Sequence, residues 1–355
     1  MRLRAALLIV IAMICSLSSE HCAGQDPYAL RLFTALRRAN GASFASPTAL
    51  QATAAHPGTY SVNPAADDWG RRRSPASSLK SVALSNLHAF SRSGAVLTDT
   101  SVAGTIELPG EGQIPLAYAR TDTLNGDTRT GENDFSSHEL FFGLSRQISE
   151  TSSLGTQVRV LTAQTTFDIM EAPLFLPLRV DLDVDYGFDV NLGFRWQPNP
   201  TIAFGLVGGI GKISTVSDVS SVFTIPPPAA ASLPTAPIKD TPQSLLLRYG
   251  IGITPSRFVG IYIDGEHYEF ASDTSGTLRV SRALAGLELR HNDWHTTFLG
   301  TSIDEDAEWT FGIGCRVIWE EYASVSLSYQ VNAYPELEPE NGRFDQITAT
   351  FARRF

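Results

Sequence analysis

Between Arg179 and Pro200 the chain reads RVDLDVDYGFDVNLGFRWQPNP, and from Val180 to Trp196 two kinds of residue alternate without a break. The even positions are apolar or aromatic (Val180, Leu182, Val184, Tyr186, Phe188, Val190, Leu192, Phe194, Trp196); the odd ones are charged, polar or glycine. A period of two is that of a β-strand whose two faces meet unlike media. Strands of soluble proteins run to only ~5–6 residues, whereas a strand crossing a bilayer needs ~9–11 at a tilt of ~45°. The segment from Tyr186 to Trp196 meets the second requirement. Its length corresponds to a rise of ~33 Å along the strand and ~23 Å along the membrane normal, close to the ~25 Å apolar band of membrane barrels. An aromatic stands at each edge, where girdles form. Tyr186 and Trp196 are therefore read as lipid-facing girdle residues, and Gly187, Asp189, Asn191, Gly193 and Arg195 as lumen-facing.

Asp181, Asp183 and Asp185 continue the same alternation above the membrane. Carboxylates ~6.5–7 Å apart along one strand face hold a calcium ion only if other oxygens converge on it. No such partners are visible, so the reading is a solvated strand extension without a metal.

From Leu79 onward the rest of the chain repeats this texture in short alternating segments broken by turns. Short turns fall at LPGEGQ, QISETS, WQPNPT, TPSR, RHND and WEEY. Between them lie more extended polar stretches: SRSGAV, RTDTLNGDTRTGEND, residues 163–177, the proline-rich SSVFTIPPPAAASLPTAPIKDTPQ, ASDTSG, TSIDED and NAYPELEPENGRFD. Alternation of tight and long connections is the pattern of an outer-membrane barrel. The strands expected are 79–90, 98–108, 113–121, 136–147, 152–163, 178–197, 201–216, 244–253, 257–270, 277–290, 293–302, 307–319, 322–332 and 344–355. Six short turns and seven long loops require fourteen strands with both ends on the periplasmic side; twelve is the alternative, because the second and third spans are poorly patterned. The fold class is thus all-β, a transmembrane antiparallel barrel with an N-terminal hatch or plug segment.

The termini fit this scheme. MRLR, the apolar run AALLIVIAMICSL and the small residues CAG at 22–24 form a signal peptide, so residues 1–24 are expected to be removed. Residues 25–77, rich in Ala, Ser, Pro and Gly, lack strand alternation and are read as a periplasmic or lumenal hatch, with the barrel over 78–355. Cleavage leaves Cys315 as the one cysteine, which excludes an internal disulfide. The last strand, DQITATFARRF, alternates and ends on Phe355, read as an assembly signal.

Several of these segments resemble the FadL-type long-chain fatty-acid transport family. YGFDVNLGFRWQPNPTIAFGLVGGIG is similar to one strand–turn–strand unit of that family. LLLRYGIGITPSRFVGIYIDGEHYEF, RALAGLELRHNDWHTTFLG and EWTFGIGCRVIWEEYASVSLSYQV resemble its later hairpins, and ITATFARRF its final strand. SVNPAADDWG resembles the family's NPA element, carried by Asn63, Pro64 and Ala65, in the hatch that plugs the barrel. The resemblance implies fourteen strands, a plugged lumen, and capture of hydrophobic ligands from outside, which then leave sideways into the outer leaflet. The segment before NPA lacks the family's glycine-rich run, and the external loops are short for it.

Other classes fit less well. A net charge of −10 argues against nucleic-acid binding. GxSxG and HExxH are absent, HNDWH (His291, His295) falls at a turn where its spacing does not converge as on a helix, and Glu266 and Tyr268 in GEHYEF face away from His267 and Glu269. An enzyme is therefore not expected, nor a cofactor. The runner-up is a general water-filled porin, favoured by the polar lumen-facing set Asp189, Asn191, Arg195, Gln157 and Arg159; a soluble secreted β-sandwich is the third reading. The partners expected are the outer-membrane bilayer, a hydrophobic small molecule and the barrel-assembly machinery, with the chain monomeric.

Overall fold

In the computed structural model the described residues are 78–354, apart from 92–93, 95, 109–111, 125–126, 129–130, 172–175, 222–236, 273–275, 320–322 and 336–342. The expected signal segment, the segment read as a hatch with Asn63, Pro64 and Ala65, and Phe355 lie outside them.

Fourteen antiparallel strands form the wall. They are β1 (Ser78–Ser91), β2 (Val96–Leu108), β3 (Gly112–Leu124), β4 (Gly131–Ser149), β5 (Ser152–Glu171), β6 (Leu176–Asn199) and β7 (Ile202–Ser221), then β8 (Gln243–Ser256), β9 (Val259–Ser272), β10 (Gly276–Arg290), β11 (His295–Asp304), β12 (Trp309–Trp319), β13 (Ala323–Val331) and β14 (Phe344–Arg354). Two short strands, Asp127–Thr128 and Ile238–Asp240, pair with the outer ends of β4 and β7. Each strand pairs with its sequence neighbours, and β1 pairs with β14 from Ser81↔Arg354 to Ser91↔Phe344, which closes the barrel. Closure leaves no edge strand and excludes a two-sheet sandwich. With short turns on the periplasmic side, the first and last strands begin and end there.

All fourteen expected strands are present. The largest departure is at residues 163–177, expected as a loop: β5 runs on to Glu171 and β6 starts at Leu176. Strands β4–β7 have 19, 20, 24 and 20 residues, against 9–15 in the others, so one side of the wall rises beyond the membrane. Above the bilayer a strand need not present an apolar outer face, so the lipid-type pattern ends before the strand does.

The outer face carries the apolar belt. On β6, Tyr186, Phe188, Leu192, Phe194 and Trp196 are exposed, and β12 repeats the arrangement with Trp309 and Trp319 bracketing Phe311 and Ile313. At the periplasmic rim Trp196 stacks on Phe204 (5.4 Å between centroids) and Trp319 packs on Phe351 (6.4 Å). Cys315 is a half-exposed free cysteine beside Ile313 in β12.

Candidate functional site

The inner wall has two layers. In the periplasmic half and the middle it is polar and ion-paired. Gln157, Arg159, Asp189, Asn191 and Arg195 are all buried on this inner face. Arg159 donates from Nε to Glu139 Oε2 (2.5 Å) and from Nη1 to Asp189 Oδ2 (3.2 Å), and its guanidinium lies over the Phe141 ring (5.7 Å). Ser244 donates to Asp189 Oδ1 (3.0 Å), and Asn191 donates to Gln157 Oε1 (3.4 Å). Two strands on from Asp189, Arg248 on β8 pairs with Glu266 (3.0 Å) and donates to the Tyr268 hydroxyl. Nearer the periplasm Glu288 accepts from Tyr262 (2.6 Å) and Arg290 (2.8 Å).

Glycine on β7 makes room for this network. Asp189 is opposite Gly211, and Asn191 opposite Gly209. A β-carbon on Gly211 would run into Asp189 Oδ1 and lie 2.7 Å from the Phe188 carbonyl oxygen. Backbone cannot yield as a side-chain tip does, so Gly211→Ala is expected to cost about 1–3 kcal/mol, measured as a lower urea midpoint of the refolded protein.

In the outer half the inner wall turns apolar. Leu87, Leu97, Phe135, Leu161, Val184, Ile213, Leu246, Phe270, Leu278 and Phe344 belong to one buried cluster, closed over by Ala333 and Tyr334 from the β13–β14 connection. Tyr334 meets Phe344 edge to face at 6.0 Å. Asn332 holds the turn of this cap with φ 55°, a backbone form asparagine tolerates, and Thr310 donates to its carbonyl (2.8 Å). A void of about 10 Å³, the size of one water, remains between Leu161, Gly187, Ile213 and Phe270 on one side and Arg159 and Asp189 on the other.

A bulge in β6 creates the change of layer. Leu161 pairs with Gly187 but Ala163 with Val184; on the other side Tyr186 pairs with Ser214 but Val184 with Thr215. The strand thus holds one extra residue at Asp185–Tyr186 against both neighbours, and a bulge of this kind swaps faces. Below it Tyr186 and Phe188 point out; above it Val184 points in, 3% exposed. Because of it Asp181, Asp183 and Asp185, read as a solvated strand extension, lie on the face opposite to Asp189. All three are exposed, while Asp189 is buried. Thr166 donates to Asp181 (2.7 Å) on that outer surface.

No family model matches the chain, and no curated protein matches its sequence. Solved structures do resemble it. The toluene transporter TbuX of Ralstonia pickettii superposes with a TM-score of 0.59 at 12% identity, over 89% of this chain and 99% of TbuX. The toluene transporter TodX of Pseudomonas putida gives 0.57 at 10% identity, over 88% and 97%. A FadL homologue of Pseudomonas aeruginosa gives 0.58 at 9% identity, over 89% and 98%. The chain has the FadL-type outer-membrane barrel fold.

Within this FadL-type barrel Tyr186 and Trp196 lie at the outer surface, 49% and 43% exposed. The structure adds inner-wall residues not singled out from the sequence: Asp99, Glu139, Arg248 and Glu288. Each is one polar residue in an alternating strand, and only the pairing of neighbouring strands reveals its partner. Glu266 and Tyr268 do share a face, as their spacing requires, joined by Arg248. His291 and His295, expected not to converge, stack with centroids 4.8 Å apart, because the β10–β11 turn folds one ring onto the other. Among the described residues no group of three or more His, Cys, Asp or Glu could hold a metal ion.

Proposed function

We propose that this protein is an outer-membrane channel for passive uptake of hydrophobic compounds, and not an enzyme. The observation that carries the reading is the apolar cluster on the inner wall of the outer half, at the end a solute from outside meets first. Each CH₂ moved from water into such a site gains ~0.8 kcal/mol, so an apolar molecule concentrates there with no energy source. The toluene transporters and the FadL homologue that share the fold support this ligand class.

Long-chain fatty acids as the ligand, and residues 25–77 as a hatch with Asn63, Pro64 and Ala65 as its motif, are the finer parts of the proposal; they rest on the sequence resemblance. Sideways release into the membrane finds support in β3. Its ladder with β4 is interrupted between Gln113 and Leu116, where Pro115 has no N–H to offer, and Pro115 packs at 3.3 Å from where a β-carbon on Gly143 would stand.

The second reading, a general porin, is favoured by the polar, ion-paired inner half. Single-channel conductance separates the two. The intact refolded protein is expected to conduct little and the chain lacking 25–77 much more; large, steady conductance from the intact protein favours the porin.

A further inference from the structure

We propose that the Tyr334 ring stands in for the ligand. It fills the outer binding site of the resting channel, and an apolar group the size of a benzene ring, from an aromatic compound or the end of an acyl chain, enters by displacing it. The inference rests on the uptake reading above and deepens it by assigning the residue that yields.

The apolar cluster is closely packed. The void at its base is about 10 Å³, whereas a cavity that takes up benzene measures ~150 Å³. A solute therefore binds within the cluster only if a side chain leaves. Its members differ in how readily they do so. Leu87, Phe135, Leu161, Phe270 and Phe344 stand on strands paired on both sides, so shifting their backbone breaks ladder bonds. Among the cluster's described members, Ala333 and Tyr334 alone lie off the strands, in a connection at the outer end of the barrel. A ring carried there swings outward without disturbing a strand pair.

The backbone that carries it is pinned. Asn332 donates from its backbone N–H to Asp345 Oδ1 (3.2 Å) and from Nδ2 to the Trp309 carbonyl (3.3 Å), and Ala333 donates to the Phe344 carbonyl (2.8 Å). With Thr310 on the Asn332 carbonyl, these bonds tie the residues just before Tyr334 to β12 and β14. The part left to move is the Tyr334 side chain, by rotation between staggered χ1 wells. Its ring is 2% exposed and meets Phe344 in the edge-to-face arrangement that aromatic pairs prefer. An incoming ring in the same place makes the same contact. Such an exchange exposes about as much apolar surface as it buries, so binding is weak and reversible, as a passage that must release its solute requires. The resident ring lowers the apparent affinity in proportion to the time it spends in the site.

Toluene and laurate, a ring and a chain, are the probes, and the full-length refolded protein is used throughout. Hydroxyl-radical footprinting of the wild type is expected to show oxidation of Tyr334, measured relative to exposed Trp294, rising several-fold when a probe is bound. In equilibrium dialysis Tyr334→Ala, whose site is already vacant, is expected to bind at least about tenfold more tightly than the wild type. Tyr334→Leu leaves less empty space and gives a smaller gain of the same sign, which serves where the alanine variant does not fold. A gain for toluene alone assigns the site to rings; a gain for laurate shows that it admits chain ends. Tyr334 equally protected with and without bound probe, or affinities unchanged in both variants, overturns the displacement and leaves the uptake reading standing. Failure of the wild type and both variants to bind either probe overturns the uptake reading with it.

Discussion

Replacing Arg159 with methionine is expected to lower the stability of the refolded barrel by about 3–5 kcal/mol, seen as a lower urea midpoint and an earlier loss of heat-modifiable migration. Methionine fills much of the volume over Phe141, so little packing is lost, but Glu139 and Asp189 are left as buried charges. Ser244 still serves Asp189, through Oδ1, while among the described residues Glu139 is served by Arg159, through Oε2. The loss is therefore the penalty of stranded charge and not the net worth of the ion pair. That distinction has a consequence. Glu139→Gln and Asp189→Asn combined with Arg159→Met should recover most of the stability, since a whole buried charge set replaced by neutral groups is often neutral or favourable. Arg279 supplies the contrast: its bond to Glu269 on the outer face is 3.0 Å long, but the two side chains are 47% and 29% exposed. Arg279→Met is expected to change stability by less than about 1 kcal/mol. Comparable losses at both positions would mean that the inner wall is as well solvated as the outer surface.

The barrel was legible in the sequence because lipid imposes one rule on every crossing. Alternation from Val180 to Trp196, and tight turns such as QPNP and HND, mark strand after strand without any knowledge of which strands touch. The part that stayed hidden depends on pairing. Arg159 and Glu139 are 20 residues apart and Ser244 and Asp189 are 55 apart, so nothing in either local pattern announces the contact. The bulge at Asp185–Tyr186 was hidden for a different reason. The even positions stay apolar straight through it, so the sequence shows one continuous strand face where the molecule has two. The extra residue is detectable only as a register shift against β5 and β7. Strand ends at 163–177 were missed because the outside medium there is water, and a water-facing strand carries no lipid signature.

This use of one sequence pattern for two surroundings predicts that Val184→Asp will abolish most hydrophobic uptake, whereas deletion of Asp185 will not. Below the bulge β6 has lipid outside and polar groups inside; above it, water outside and the apolar cluster inside. An apolar residue at every even position suits both only if the faces exchange at the boundary, and the extra residue at Asp185–Tyr186 does that. Val184→Asp places a carboxylate among Leu161, Ile213 and Phe270, in the path by which an apolar solute would enter. Even ~1.4 kcal/mol added to the passage barrier slows it tenfold, and burial of an unpaired carboxylate exceeds that. Removing Asp185 instead makes Tyr186 and Val184 adjacent, which leaves Tyr186 facing out and Val184 facing in by ordinary alternation. The bulge disappears, the faces stay as they are, and uptake should remain close to wild type. Toluene uptake by proteoliposomes measures both. Loss of uptake in the deletion would mean that the bend of the bulge matters and not the faces it assigns, and normal uptake in Val184→Asp would move the route of the solute away from this cluster.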